Sequence, residues 1–235
     1  MNDHRDGKII FVTGKTRSGK TTEIIKRTKS ATRLIVWDPK PEFYKLPGFI
    51  RVNDTNGLIN LLTSGKKHLR IAYVPKVITR EQFDFWAGCA YKWGRSRGPC
   101  TVIAEETADI TSPGKATHWW GQLIRKGLGY GIDIYATTQR PSESDSTALG
   151  NASVILCFSL VKTTDRKCMA DNLGCQATDI PRKKHEFIEM NMDDGVMKRH
   201  NPVLPGLSGQ LDKPAPDSLN IQSQTSKTRG NRNVR

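Results

Sequence analysis

The run Gly14-Lys15-Thr16-Arg17-Ser18-Gly19-Lys20-Thr21 fits G-x-x-x-x-G-K-[ST] directly behind an apolar strand, Ile9-Ile10-Phe11-Val12. The glycines let the backbone turn its N–H groups inward around phosphate oxygens. Lys20 can then reach the β and γ phosphates, and Thr21 offers a hydroxyl to Mg²⁺. Residues Thr22 to Lys29 read as a helix whose positive N-terminal end adds to the anion site. Gly14, Lys15, Thr16, Arg17, Ser18, Gly19, Lys20, Thr21 and Thr22 are therefore the predicted nucleotide-binding residues, with ATP and Mg²⁺ as the expected ligands.

A loop of this kind belongs in an α/β domain, and the rest of the chain agrees. Short β-branched runs alternate with helical segments, the pattern of a mainly parallel twisted sheet covered on both faces. Strands are expected at Lys8–Thr13, Arg33–Trp37, Phe49–Asn53, Leu69–Val74, Thr101–Ala104, Ile132–Thr138 and Ser153–Leu160. Helices are expected at Thr22–Lys29, Thr55–Leu62, Arg80–Trp93, His118–Leu128 and Thr164–Leu173. A last strand or hairpin spans Glu186–Met192, turns at Asp193-Asp194-Gly195 and returns past Lys198. At 235 residues the chain holds one such domain, expected over residues 1–200. From residue 201 prolines break the pattern and Ser, Asn, Gln, Lys and Arg dominate, so residues 201–235 read as a basic, disordered or partner-binding tail. Its end carries Lys227, Arg229, Arg232 and Arg235 without an acid.

The net charge of +14 suits a polyanion, nucleic acid first among them. The five cysteines include no C-x-x-C pair, no His stands at zinc-finger spacing, and the polar N-terminus does not resemble a leader. Reduced thiols in a soluble protein are expected.

A second chemical signal is Thr101-Val102-Ile103-Ala104-Glu105-Glu106, an apolar strand ending in two carboxylates. Beside a phosphate loop, Glu105 would help hold Mg²⁺ with Thr21, and Glu106 would act as general base or orient the attacking water. A third is Gly131 to Pro141, a strand that delivers Gln139 and Arg140 to the same carboxyl edge, where ligands of such sheets bind. Gln139 can contact a γ-phosphate oxygen or the water. Lys92, Arg95 and Arg97, read as a loop around Gly94 and Gly98, and Arg182-Lys183-Lys184 are candidate phosphate-backbone contacts to DNA. Trp93, Trp119 and Trp120 read as packing or subunit-contact residues.

In this order, Gly14–Thr21, Val102–Glu106 and Gly131–Pro141 resemble the Walker A, Walker B and glutamine-sensor segments of the FtsK/HerA superfamily of DNA-pumping ATPases. These belong to the RecA-like, additional-strand catalytic-glutamate division of phosphate-loop enzymes. The short length looks most like the genome-packaging ATPases of tailless, internal-membrane viruses of the tectivirus type. The resemblance implies a homo-oligomeric ring, commonly a hexamer, at one capsid vertex, driving double-stranded DNA into a preformed procapsid. It implies vertex or capsid protein partners, leaves room for contact with a membrane-embedded vertex partner, and implies a protein made in the host cytoplasm and carried in the virion. It also implies an arginine supplied to a neighbour's site: Arg125 stands in the expected region, about three residues farther from Gln139 than in relatives, and Arg140 competes. Glu105 replaces the usual aspartate and is one methylene longer. Lys15 lies five residues before Lys20, as in partition ATPases, but Thr16-Arg17 stand where those proteins have glycines, so Lys15 reads as an extra phosphate- or DNA-facing charge. An assembly or partition ATPase acting on protein or membrane, and a small nucleotide kinase, are the alternatives.

Overall fold

The structure, a computed structural model, describes residues 6–114 and 116–201. The expectations for the segment beyond Asn201 lie outside these residues. The apolar runs form β1 (Ile9–Thr13), β2 (Arg33–Trp37), β3 (Phe49–Val52), β4 (Leu69–Tyr73), β5 (Cys100–Ala104), β6 (Ile132–Thr138), β7 (Val154–Phe158), β8 (Phe187–Asn191) and β9 (Met197–His200). They make one sheet in the order β3-β4-β2-β5-β6-β1-β7-β8-β9. β1 to β7 are mutually parallel, whereas β8 runs antiparallel to β7 and β9 antiparallel to β8. β6 stands between β1 and β5, as the additional-strand arrangement requires, so the loops after β1, β5 and β6 open side by side at one edge.

The helices are α1 (Lys20–Arg27), α2 (Thr55–Thr63), α3 (Arg80–Arg97), α4 (His118–Lys126), α5 (Ser146–Gly150) and α6 (Thr163–Leu173). Alternate strand residues face opposite ways, and they bury two separate cores. Phe11, Ile35, Trp37, Val102 and Ile134 pack beneath residues of α2 to α6, while Val12, Leu34, Val36, Ile103 and Leu156 pack with Ile24 of α1 and Phe43. The thicker layer centres on aromatics, with Phe83 5.4 Å from Trp37 and 5.2 Å from Trp120 between ring centroids. Trp93 and Trp120 are buried and Trp119 packs against the core, the structural role expected of them. All five cysteines are free. Among the described residues, no helix is long and apolar enough to cross a membrane.

The edge hairpin is fastened to α1. Arg27, on the last turn of that helix, makes two 2.9 Å hydrogen bonds to the Glu189 carboxylate on β8 and a third, of 2.8 Å, to Glu23. His200 Nε2 on β9 lies 2.9 Å from the same Glu189.

Three sequence expectations are corrected here. α1 begins at Lys20, two residues earlier than expected, because the phosphate loop runs straight into helical backbone. α5 was not anticipated; five residues are too few to show a helical period, and Asp145 starts it by accepting the Thr147 N–H at 2.9 Å. Lys92, Arg95 and Arg97 lie on α3 and not in a loop, since the helix continues through Gly94. Lys92 sits 4.6 Å above the Trp119 ring and Arg95 6.0 Å from that of Tyr130. Gly94 survives in the helix because β6 passes close: a Cβ there would stand 2.3 Å from Ile132 Cδ1 and 2.5 Å from its Cγ1. Gly94→Ala should therefore destabilise the fold by about 1–3 kcal/mol through overpacking, against the usual helix gain from alanine. A lower urea midpoint at unchanged m-value would show it.

Candidate active site

The loop after β1, the acids after β5 and the amide after β6 converge on one cleft of about 530 Å³. It is lined by Thr16 to Thr22, Lys40, Glu42, Glu105, Glu106, Gln139, Lys184 and His185. Lys20 is buried and donates to the Gly14 carbonyl at 2.7 Å and the Lys15 carbonyl at 3.3 Å, closing the loop on itself. Burial lowers its pKa, opposed by Glu106 and Glu105. The loop is held from behind by Lys15 N–H on the Ser159 carbonyl at 2.8 Å.

Glu105 and Glu106 are both buried, and each is placed by a different device. The Glu105 N–H still donates to the Trp37 carbonyl, at 3.3 Å, so this residue extends the strand. Glu106 turns away with φ +53°, a left-handed conformation costing a non-glycine residue of order 1 kcal/mol. The turn is held by Glu106 N–H on Thr137 Oγ1 at 3.2 Å and by Thr107 Oγ1 on the Thr137 carbonyl at 3.1 Å. It brings the Glu106 carboxylate 2.6 Å from Gln139 Nε2 and 3.5 Å from Lys40 Nζ. Gln139 Oε1 in turn accepts from Thr16 Oγ1 at 2.6 Å. A continuous chain thus joins the phosphate loop to Glu106 through the amide.

Glu105 sits in a crowd of acids. Burial, then Asp38, Glu42 and Glu106, push its carboxyl up to about 8, with Lys20 opposing. Asp38 is fully buried and accepts the Glu42 and Tyr44 N–H groups at 3.0 and 3.1 Å, which shapes the turn after β2. That turn places the Glu42 carboxylate 3.4 Å from Thr21 Oγ1. Thr21, Glu42 and Glu105 offer hard oxygens suited to Mg²⁺. Among the described residues no three His, Cys, Asp or Glu side chains form a metal cage.

The remaining sequence candidates fall elsewhere. Arg140 is half-exposed, 3.8 Å from both Glu143 and Asp165. With Lys15, Thr16, Gln139 and Lys162 it lines a neighbouring cavity of about 330 Å³. Arg125 is exposed on the last turn of α4, which leads into the opposite, amino end of β6. Lys184, expected at DNA, lines the cleft itself. Sequence reading missed Asp38, Lys40, Glu42 and His185. The first of these had a signal, since Leu34-Ile35-Val36-Trp37-Asp38 is another apolar strand ending in an acid.

A phosphate loop followed in space by an inserted strand and a strand ending in buried glutamates defines a phosphate-loop nucleotide-binding fold of the additional-strand type. No family model matches the chain. It is 31% identical to Protein P9 of Pseudoalteromonas phage PM2 over 184 residues, 75% of this chain and 83% of that protein, and it belongs to the same family. Its fold is that of the genome packaging NTPase B204 of Sulfolobus turreted icosahedral virus 2, solved with AMPPCP, at TM-score 0.70 and 17% identity, covering 84% of this chain and 98% of that one. B204 of Sulfolobus turreted icosahedral virus matches at TM-score 0.66 and 17% identity, over 85% of this chain and 100% of that one.

A carboxyl raised from 4.5 to about 8 is protonated in the fold and ionised in the unfolded chain between those values. The unfolded state then binds fewer protons, so this group makes stability fall as pH rises from about 4.5 to about 8. In magnesium-free, nucleotide-free protein, Glu105→Gln should melt above wild type at pH 8.5, by the equivalent of a few kcal/mol, and the difference should shrink towards pH 5. Thermal melts across that range check it.

Proposed function

We propose that this chain is an ATP-driven packaging motor that moves double-stranded DNA into a preformed viral capsid. The observation that carries the reading is the chain Thr16–Gln139–Glu106, two hydrogen bonds of 2.6 Å that link the phosphate loop to a buried carboxylate in the cleft of Lys20. Kinship with a phage protein of this family, and a fold shared with viral packaging NTPases, supply the context.

In this mechanism the loop amides and Lys20 hold the triphosphate, and Lys20 leaves the Gly14 and Lys15 carbonyls for phosphate oxygens. Thr21, with Glu105 and Glu42, would hold Mg²⁺, which supplies charge neutralisation on the β and γ phosphates. Glu106 orients the water for in-line attack on the γ phosphorus and accepts its proton; the bond to the β–γ bridging oxygen breaks, and ADP and phosphate leave. Lys40 Nζ, 3.5 Å from the Glu106 carboxylate, pairs with it in the open cleft. Gln139 touches both the loop and the base, so gain or loss of the γ phosphate changes what its amide can bond. That change is the signal passed to DNA-gripping surfaces.

The ATPase domain is residues 1–200, with residues 201–235 a basic partner-binding tail. The active form is a homo-oligomeric ring, most simply a hexamer, in which Arg125 or Arg140 of one subunit completes the site of the next. Arg140 would have to leave Glu143 and Asp165 to do so. DNA contact is through phosphates, with vertex proteins as further partners, in the host cytoplasm during assembly and in the virion afterwards.

Glu106→Gln should retain ATP binding and lose turnover by about 10²-fold or more; surviving hydrolysis would remove Glu106 from its role. Double-stranded DNA of any sequence should stimulate the wild-type rate, with stimulation falling steeply between low and physiological salt. A rate indifferent to DNA, but raised by a protein or membrane partner, would favour an assembly ATPase. A phosphorylated acceptor in place of free phosphate would favour a kinase.

A further inference from the structure

The groups suited to hydrolysis reach the cleft from one side of the sheet. Lys40 and Glu42 follow β2, Glu105 and Glu106 follow β5, and Gln139 follows β6, all on the β5–β6 side of β1 in the strand order. Among the described residues, only Lys184 and His185 line the cleft from the other side, from the segment that leads into β8. A triphosphate is linear. With its γ end facing Glu106 and Gln139, its α-phosphate, ribose and base must extend towards β7 and β8.

The segment there is tightly specified. The His185 N–H donates to the Ser18 carbonyl at 3.0 Å, clasping the phosphate loop. His185 holds φ +64°, a conformation seldom taken by a side-chain-bearing residue. Gly19, with φ +111°, lies against it: a Cβ there would stand 2.8 Å from His185 Nδ1. Behind it, Phe187 stacks on Phe158 at 4.6 Å, and the buried Arg166 guanidinium donates to the carbonyls of Leu160, Ala177, Ile180 and Pro181. The histidine ring is thus set beside the loop by its backbone and its supports, and stays exposed to the cleft.

We propose that Lys184 and His185 form the nucleoside end of the site, with the His185 imidazole against the ribose and base and the Lys184 ammonium on the α-phosphate. The proposal rests on reading the cleft as a nucleoside triphosphate site. It makes His185 a determinant of nucleotide affinity and base preference, with no part in the phosphate chemistry.

Calorimetric titration of ATP and of inorganic tripolyphosphate, each with Mg²⁺, separates the two ends. His185→Gly deletes the ring in a residue that accepts positive φ freely. It should weaken ATP about 10-fold, leave tripolyphosphate within about twofold, and raise the KM for ATP while kcat holds. It should also flatten the preference for ATP over CTP. Lys184→Ala should weaken ATP and tripolyphosphate together. His185→Asn, which tolerates the same backbone, should give the ATP-selective loss too. Equal losses of both ligands in His185→Gly, or no loss of either, would overturn the proposal. Wild-type protein that binds neither ligand would instead overturn the nucleotide reading beneath it.

Discussion

An ammonium buried among carboxylates organises this molecule's functional edge. Lys20 has little water to solvate it and bonds only to carbonyls of the loop that carries it, while Glu105, Glu106 and Asp38 are buried around the same point. Neither set is comfortable alone: a buried ammonium sheds its proton more readily, and buried acids resist ionising. Each offsets part of the desolvation of the other. Burial and the acids around it still raise the Glu105 carboxyl to about 8 against the pull of Lys20, so the compensation is partial.

The sheet order turns this cluster into a directional device. Placing β6 between β1 and β5 sets an amide between the phosphate loop and the glutamates, so that Gln139 can bond both at once. Had β5 lain directly beside β1, that place would be filled by the Walker B strand itself. The segment that leads into β8, on the far side of β1, gives the cleft a second wall of different chemistry, Lys184 and His185, opposite the acids. Strand order thus decides which residues face one another across the cleft.

Much of this was legible in the sequence because it is local. The phosphate loop, the strand ending in Glu105-Glu106 and the strand delivering Gln139 are contiguous patterns, and short β-branched apolar runs located the strands within a residue or two. Glu42 and Lys40 were missed because their roles depend on how Asp38 folds the chain after β2, and no periodicity marks a turn held by one buried carboxylate. His185 was hidden for a stronger reason. It is remote in sequence from the loop it clasps, and its backbone conformation follows from contacts with Ser18 and Gly19. The loop assigned to Lys92–Arg97 failed because Gly94, usually a helix breaker, is the residue that lets α3 approach β6.

The edge hairpin and α1 are joined at two points: at the loop that opens the helix, where His185 meets Ser18, and at the last turn, where Arg27 meets Glu189. Roughly 12 Å of helix separates them. Between them, Phe187 of β8 and Ile24 of α1 share one buried core, so the pair is braced along its length. Sliding or splaying would break either the backbone bond or the doubly bonded ion pair. The hairpin is therefore held to α1 near both ends of the helix as well as through the sheet, where β8 pairs with β7 and β7 with β1.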